Sequence, residues 1–345
     1  MATVVDTNKG HPLPIWQRWA MVLNGCNCPE IEKADWLTRW LVISRACVFN
    51  MTVTSGLIGI LVAALEGYTN GFHAVLVLIG LVAAHAVNNL VNDWTDVRKG
   101  VDTEDYPRAQ YSTHPILGGL TTLNGLLKAA LFLNIIDAAI MIYLTIAVGP
   151  WILFFALLGL ALSLGYTGFL KRIGLGELTA LVVWGPLMIG GTAYAIAGTF
   201  TLNMLWLSLP YGLIVMSVLI GKHIDKLGPD KGVGVHSLPV LIGEKASLRL
   251  NQFFFILFYV LVVALVVLQI TGPWVLVSFF ALPQLRTSWQ RYSQPKPASP
   301  PEGWTVWPLW YVGWAMYFNR TAGALFVVGM VLNLVVPGLM QMVFG

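Results

Sequence analysis

The run NNLVNDWTDVRKGVDTEDYPR, from Asn88 to Arg108, closes a long apolar segment and carries five of the chain's sixteen carboxylates. Read as a helix continuing from that segment, Asn89, Asp93 and Asp96 fall at i, i+4 and i+7, so their side chains leave one face. Asn88, Asn92 and Asp96 form a second, overlapping row. Carboxylates stacked this way repel one another, and beside a membrane they are costly without a positive charge between them. A divalent cation meets that need.

The apolar segment is one of several. The 345 residues are 57% hydrophobic and 10% charged, with a mean hydropathy of +0.73, which is too apolar for a soluble domain. The expected fold is all-α, a polytopic membrane helical bundle. Stretches of about 20 residues, enough to cross a hydrocarbon core, fall at 41–65, 71–91, 122–147, 150–168, 176–199, 203–222, 250–270 and 321–343. A shorter run, Pro273–Leu285, crosses if the membrane thins or flanking residues extend it. Charge placement counts it in. Lys and Arg precede the first span (Lys9, Arg18, Lys33, Arg39), follow the second, fourth and sixth, and surround 286–296, whereas 66–70, 148–149, 200–202 and 271–272 have none. With nine transmembrane helices, every basic loop lies on one side, which the positive-inside rule makes cytoplasmic. The expectation is a multi-pass protein of the cell membrane, N-terminus cytoplasmic and C-terminus opposite, around a central cavity opening to the cytoplasmic side.

Residues 1–40 read as a cytoplasmic or interfacial segment with Trp16, Trp19 and Trp36 as anchors, and 41–345 as a single transmembrane domain. Within that domain, 286–318 combines a Pro- and Ser-rich cytoplasmic linker with a Trp-rich interfacial piece. There Trp304, Trp307, Trp310 and Trp314 recur at helical spacing. Cys26, Cys28 and Cys47 give no even disulfide framework and no zinc set, and read as unpaired thiols. No cleavable signal pattern, internal repeat, nucleic-acid partner or oligomeric state is legible.

A second polar run, GKHIDKLGPDKGVGVHSLPVLIGEKAS, spans Gly221 to Ser247 and brings Asp225 and Asp230 with Lys222, His223, Lys226, Lys231 and His236. Antiparallel topology returns it to the membrane face that holds the first cluster. A third piece, GYTGFLKRIGLGELTALVVWGP, adds Tyr166, Lys171 and Arg172 on the same side. Two facing carboxylate clusters suit Mg²⁺, a hard cation that prefers oxygen ligands and shares its shell with substrate phosphates. Neighbouring cations would take the remaining charge of a diphosphate. A water-facing anionic site over an apolar bundle suits an isoprenyl diphosphate, which joins a charged head to a hydrocarbon tail.

These motifs resemble the UbiA-type superfamily of intramembrane prenyltransferases, in particular its menaquinone-pathway 1,4-dihydroxy-2-naphthoate polyprenyltransferase branch. The NDWTD run with Gly100 and Asp102 is similar to the first acidic motif. The run from Tyr166 to Thr192 is similar to the branch's YTG…K…GLGE…GP segment. DKGVGVHSLPVLIG resembles the second acidic motif and its tail. The resemblance covers about 40 to 343 and implies nine helices, two Mg²⁺ ions, and prenyl transfer to an aromatic acceptor through an allylic carbocation. It implies Asn89, Asp93 and Asp96 as ligands of one ion, with Asp102 nearby, and Asp225 and Asp230 as ligands of the second. Lys171 and Arg98 would contact the diphosphate, with Asn89, Arg108 and Lys231 beside them. Asp93, Asp96, Lys171, Asp225 and Asp230 are thus the candidate catalytic set. Tyr166, Tyr111 and His223 are candidates for acceptor or cation stabilisation. The chain departs from the branch in the Asp225 to Asp230 spacing, in His236-Ser237-Leu238, and in Ser112-Thr113-His114-Pro115 after Arg108. Those departures bear on the acceptor.

Other readings stand beside these. Asp137, in mid-span, is either functional or a neutral group bonded to a neighbouring helix, and Asn134 one turn earlier favours the second. Glu177 opens a span, where helix electrostatics accounts for it. His114, His223 and His236 are interfacial residues or general bases. The same site would also suit a terpene cyclase or another acceptor. A transporter would share the acids, but these cluster at one face and no inverted repeat accompanies them.

Overall fold

In hydrocarbon no water satisfies backbone N–H and C=O groups, so each apolar run must close its own helical ladder. The computed structural model describes residues 12–344; Lys9 lies outside them. Two short helices, α1 (Ile15–Gly25) and α2 (Trp36–Ile43), lead into the bundle. It continues through α3 (Phe49–Leu65), α4 (Gly71–Arg98), the single turn α5 (Pro107–Tyr111), α6 (Leu123–Ala147) and α7 (Trp151–Gly168). Next, α8 (Gly176–Val182) and α9 (Gly191–Ala197) are joined by a π-helical stretch, Val183–Gly190. That stretch contains Pro186, whose ring supplies no N–H and displaces the ordinary ladder. The chain then runs through α10 (Leu202–Asp225), α11 (Leu227–Gly232), α12 (Leu238–Ile242) and α13 (Glu244–Val267). It ends with α14 (Leu282–Tyr292) and α15 (Tyr311–Phe344).

Among the described residues, seven helices are long and apolar enough to cross a membrane: Ala46–Leu65, Gly71–Arg98, Leu123–Ala147, Gly176–Ala197, Leu202–Asp225, Glu244–Val267 and Tyr311–Pro337. The two further spans of the nine-helix expectation correspond to the shorter α7 and to a 3₁₀ stretch, Pro273–Ala281, that runs directly into α14. The linker expected from 286 is helical to Tyr292, and α15 begins ten residues before the expected 321. The tryptophans do not form a helical stripe. Trp304, Trp310 and Trp314 pack on one another, with ring centroids 4.7–5.5 Å apart and the Arg291 guanidinium 5.1 Å over Trp314. The thiol reading of Cys26 and Cys47 is also corrected: they form a disulfide that ties the end of α1 to the start of the first span. Only tertiary structure brings those two residues together, so spacing could not reveal the pair.

The bundle packs around α10, whose apolar window is 78% buried, whereas that of α6 is 11% buried and lies at the periphery. Helices in lipid approach through small residues. Gly212 on α10 meets Gly185 in the π-helical stretch so closely that an added Cβ would stand 2.9 Å from the Gly185 Cα and the Leu181 carbonyl oxygen. Both neighbours are backbone and cannot swing aside. Gly212→Ala is therefore expected to destabilise the protein by about 1–3 kcal/mol through overpacking, read as a lower Tm in detergent. An unchanged Tm would show that the two helices separate freely.

Candidate active site

Helix α4 runs unbroken for 28 residues, and its last three turns carry the polar run from Asn88 to Arg98. Asn89, Asp93 and Asp96 are all buried, as one face of a helix requires. The helix stops at Gly100, which takes φ +68°. The Val101 and Asp102 N–H groups then both donate to the Asp96 carbonyl, at 2.8 and 3.2 Å. That tight reversal folds Asp102 back beside Asp93.

Asp93 is fully buried and held by two guanidinium groups. Arg108 donates from Nε and Nη2 to its two oxygens at 3.2 and 3.0 Å, and Arg45 donates to Oδ1. Asp102 accepts at 3.2 Å from His114 Nε2. The opposite ring nitrogen, Nδ1, accepts from the Ile116 and Leu117 N–H groups at 3.2 and 3.3 Å, which fixes the proton on Nε2. Burial pushes the His114 imidazole pKa below its ordinary value, aided by Arg108 and Arg45, so the ring is neutral. Burial works to raise the Asp102 pKa, but the His114 hydrogen bond and the Arg45 and Arg108 charges bring it below the usual carboxylate value. One atom from each of Asp93, Asp102 and His114 lies within 4.8 Å of the others. With its proton on Nε2, His114 enters that group as a donor.

Asp96 faces Lys171, whose Nζ lies 2.9 Å from both carboxylate oxygens. Asn92 donates to the same carboxylate at 3.0 Å, and its own Oδ1 lies 3.4 Å from Lys171 Nζ. Lys171 sits on a one-turn 3₁₀ helix, Leu170–Arg172, just after α7. Burial depresses its pKa, and Asp96 opposes that shift.

The second polar run divides in two. Asp230 is buried and accepts from the Tyr106 hydroxyl at 2.6 Å, with Lys226 Nζ 3.4 Å away, while its Oδ2 is buried without a partner. Burial, and then Asp230, push the Tyr106 pKa up, so the phenol remains a donor. Asp225 points elsewhere: its oxygens accept from the Tyr311 and Val312 N–H groups at 3.0 and 2.9 Å, capping the N-terminus of α15. The structure does not bring Asp225 into the carboxylate cluster. Arg98 is exposed and stacks 4.6 Å from the Trp94 ring, and Lys231 is exposed, so neither reaches the cluster. His223 is buried against Glu177, its Nδ1 2.5 Å from Oε1, and the same oxygen accepts from the Leu238 N–H at 3.1 Å. Glu177 is therefore a buried strut between α8, α10 and α12, which corrects the reading of simple helix-end electrostatics.

A cavity of about 920 Å³ opens beside these groups, with Arg45, Asn89, Asn92, Tyr111, Tyr166 and Lys222 in its wall. Arg108 lies 5.5 Å over the Tyr111 ring. Burial would raise the Tyr111 pKa, but Arg108, Arg45 and Lys226 draw it below the usual phenol value. Much of the remaining wall is apolar; Leu157 and Leu160 of α7 line the cavity and are about half exposed. Sequence reasoning missed Arg45, Tyr106 and the role of His114. Arg45 lies 48 residues from its partner in a stretch with no motif, so only its charge beside an apolar span was visible.

Removing one partner of a buried ion pair strands the other charge, at a cost of about 3–5 kcal/mol. Arg108→Ala is expected to lower unfolding stability by that order, and Asp93→Asn in the same chain to recover part of the loss. Additive losses in the double variant would show that the two side chains act independently.

Comparison with known proteins gives a consistent result. The model of the UbiA prenyltransferase family matches residues 51–308. A 1,4-dihydroxy-2-naphthoate octaprenyltransferase of Bacillus subtilis is 24% identical over 204 residues, 57% of this chain and 63% of that protein. The chain thus spans somewhat less than two thirds of that relative. A 2-carboxy-1,4-naphthoquinone phytyltransferase of Synechocystis is 26% identical, over 68% of this chain and 76% of that protein. Among solved structures, an apo UbiA homologue from Aeropyrum pernix superposes with a TM-score of 0.64 at 19% identity, covering 82% of this chain and 97% of its own. A UbiA homologue from Archaeoglobus fulgidus bound to GPP and Mg²⁺ gives 0.61 at 14% identity, covering 86% and 99%. These likenesses establish the same helical fold.

Proposed function

The chain belongs to the UbiA prenyltransferase family and is an alkyl-transferring enzyme with a multi-pass membrane architecture, and from that premise we propose that it moves a polyprenyl group from an isoprenyl diphosphate to an aromatic acceptor. The acceptor we infer is 1,4-dihydroxy-2-naphthoate, as the names of the two relatives suggest. The observation that carries the reading is the meeting of buried carboxylates and cations at one end of a long apolar cavity.

Mg²⁺ fits the donors present. The candidate ligands Asn89, Asp93, Asp96, Asp102 and Asp230 all offer hard oxygen atoms, and Asp230 keeps a buried oxygen with no hydrogen-bond partner. Asp225, with both oxygens on backbone N–H groups, is reassigned from ligand to helix cap. When bound, Mg²⁺ would neutralise the diphosphate and favour its departure; two ions are expected. Lys171 and Arg45 are the cations poised to take diphosphate oxygens as the allylic C–O bond breaks, since each already holds a carboxylate, and Arg45 itself and Asn92 beside Lys171 lie in the cavity wall. The apolar wall excludes water, so the carbocation survives until the acceptor's electron-rich carbon attacks. Tyr111 and Tyr166 present aromatic faces to the cavity that stabilise positive charge. With a carboxylated naphthoate, carbon–carbon bond formation at the carboxyl-bearing position is completed by loss of CO₂. Nine helices, a cytoplasmic N-terminus and a C-terminus across the membrane complete the proposal, with the site facing the cytoplasm.

The test is turnover of the purified protein with geranylgeranyl diphosphate, Mg²⁺ and 1,4-dihydroxy-2-naphthoate, followed as diphosphate release and by mass spectrometry of the lipid product. Prenylated naphthoquinol is expected only with both metal and acceptor, and chelation should abolish it. Diphosphate release without that product would overturn the acceptor; a cyclic hydrocarbon would replace transfer with cyclisation. Lys171→Ala is expected to lower turnover about 10²–10³-fold, the usual loss for one preorganised group on a developing anion. Turnover within threefold of wild type would remove Lys171 from the diphosphate site.

A further inference from the structure

Asp137 is the one acid in α6, and the transfer reaction described above does not use it. The helix is two-faced. Asn134, Asp137, Ala138, Met141 and Leu144 line the cavity, whereas Phe132, Ile135, Ile142 and Ile146 are 54–82% exposed on the opposite side. Asp137 therefore lies on the cavity side of α6, opposite the face that carries the exposed apolar side chains. Its neighbour is Gly80 of α4, packed against it so closely that an added Cβ would lie 3.2 Å from Asp137 Oδ1, and both residues stand in the cavity wall. No described residue hydrogen-bonds the carboxyl, so the reading of a group bonded to a neighbouring helix is not what the fold produces. Asn134 does not answer it either, since its amide donates to the Ala130 carbonyl of its own helix at 3.0 Å.

The position along the tunnel gives the group a meaning. Gly80 and Asp93 lie on one continuous helix, thirteen residues apart, which at the α-helical rise is about 20 Å. A substrate whose diphosphate sits at the Asp93 end extends its tail along α4 toward Asp137. Leu81, Ile140, Met141, Leu144, Ile152 and Phe155 form an otherwise apolar wall there. A hydrocarbon tail that reaches the carboxyl must strip its water and offers no hydrogen bond in return.

We propose that Asp137, packed beside Gly80 in the cavity wall, is a specificity-determining residue that sets the length of prenyl tail the tunnel accepts. The inference rests on the prenyl-diphosphate reading of the cavity. Tails that end short of Asp137 gain affinity with every added unit, and longer ones lose that gain at the carboxyl.

The experiment is thermal stabilisation of the full-length protein in detergent, with Mg²⁺, by non-reacting thiolodiphosphate analogues of geranyl, farnesyl, geranylgeranyl and octaprenyl chains. Ligand that binds only the folded state raises Tm with its affinity, so no acceptor and no turnover are needed. In the wild type, affinity should rise with length and then break. Asp137→Leu should remove the break and tighten the octaprenyl analogue by at least about tenfold, the scale of one unanswered buried polar group, with the geranyl analogue unchanged. Asp137→Asn, similar in size and still polar, should keep the break. Parallel length profiles in wild type and Asp137→Leu would overturn the assignment while leaving the prenyl site intact. If no analogue stabilises even the wild type, the prenyl reading of the cavity falls and this inference with it.

Discussion

A carboxylate with no exposure to water can stay ionised only if opposite charge reaches it at contact distance. Asp93 is that carboxylate. Its requirement explains why three distant pieces of chain converge: α4 supplies the acid, α5 brings Arg108 and the entry to the first span brings Arg45. The Gly100 reversal adds Asp102, whose charge His114 answers. The same cations that neutralise the acids are available for an anionic ligand, so the features that make the buried cluster tolerable also make it receptive.

The second polar run shows chemistry and architecture sharing one sequence. Asp230 stays with the cluster through Tyr106 and Lys226, while Asp225, five residues earlier, anchors the first turn of α15. Around that anchor Tyr292 donates to the Tyr311 carbonyl and accepts from Asn251, tying α13, α14 and α15 together. Glu177 plays a matching part on the other side, joining α8 to α10 and to the start of α12. A displaced α15 would thus be felt at Asp225, five residues before Asp230.

Much of this was legible in the sequence for a physical reason. Hydrocarbon forces long apolar runs into helices, and a helix carries i, i+4 and i+7 residues to one face, so the shared face of Asn89, Asp93 and Asp96 followed from spacing, while their burial came from the packing around it. Lys171 was placed on the face of the acid clusters by the topology and singled out by the family resemblance, while its pairing with Asp96 came from the structure. What failed needed three dimensions. Asp225 and Asp230 look equivalent on paper, and only the position of α15 separates them. Arg98 and Lys231 are basic and close in sequence, yet the helix face turns Arg98 onto Trp94 and α11 leaves Lys231 exposed. The Cys26–Cys47 link and the Arg45 contact join segments whose meeting no local pattern encodes.

Leu157 and Leu160 line the cavity from α7, a helix that leaves Trp151, Phe154 and Leu164 about half exposed as well, so this part of the wall belongs to a peripheral helix of the bundle. On the prenyl-diphosphate proposal, a water-insoluble tail would come from the lipid phase and return to it. The quantity that governs encounter is then the mole fraction of substrate in the leaflet and not its molarity in the aqueous volume. Diluting the membrane with inert lipid would then slow turnover even when total substrate, enzyme and water are held constant. In a cell, the rate of such a protein is set in two dimensions.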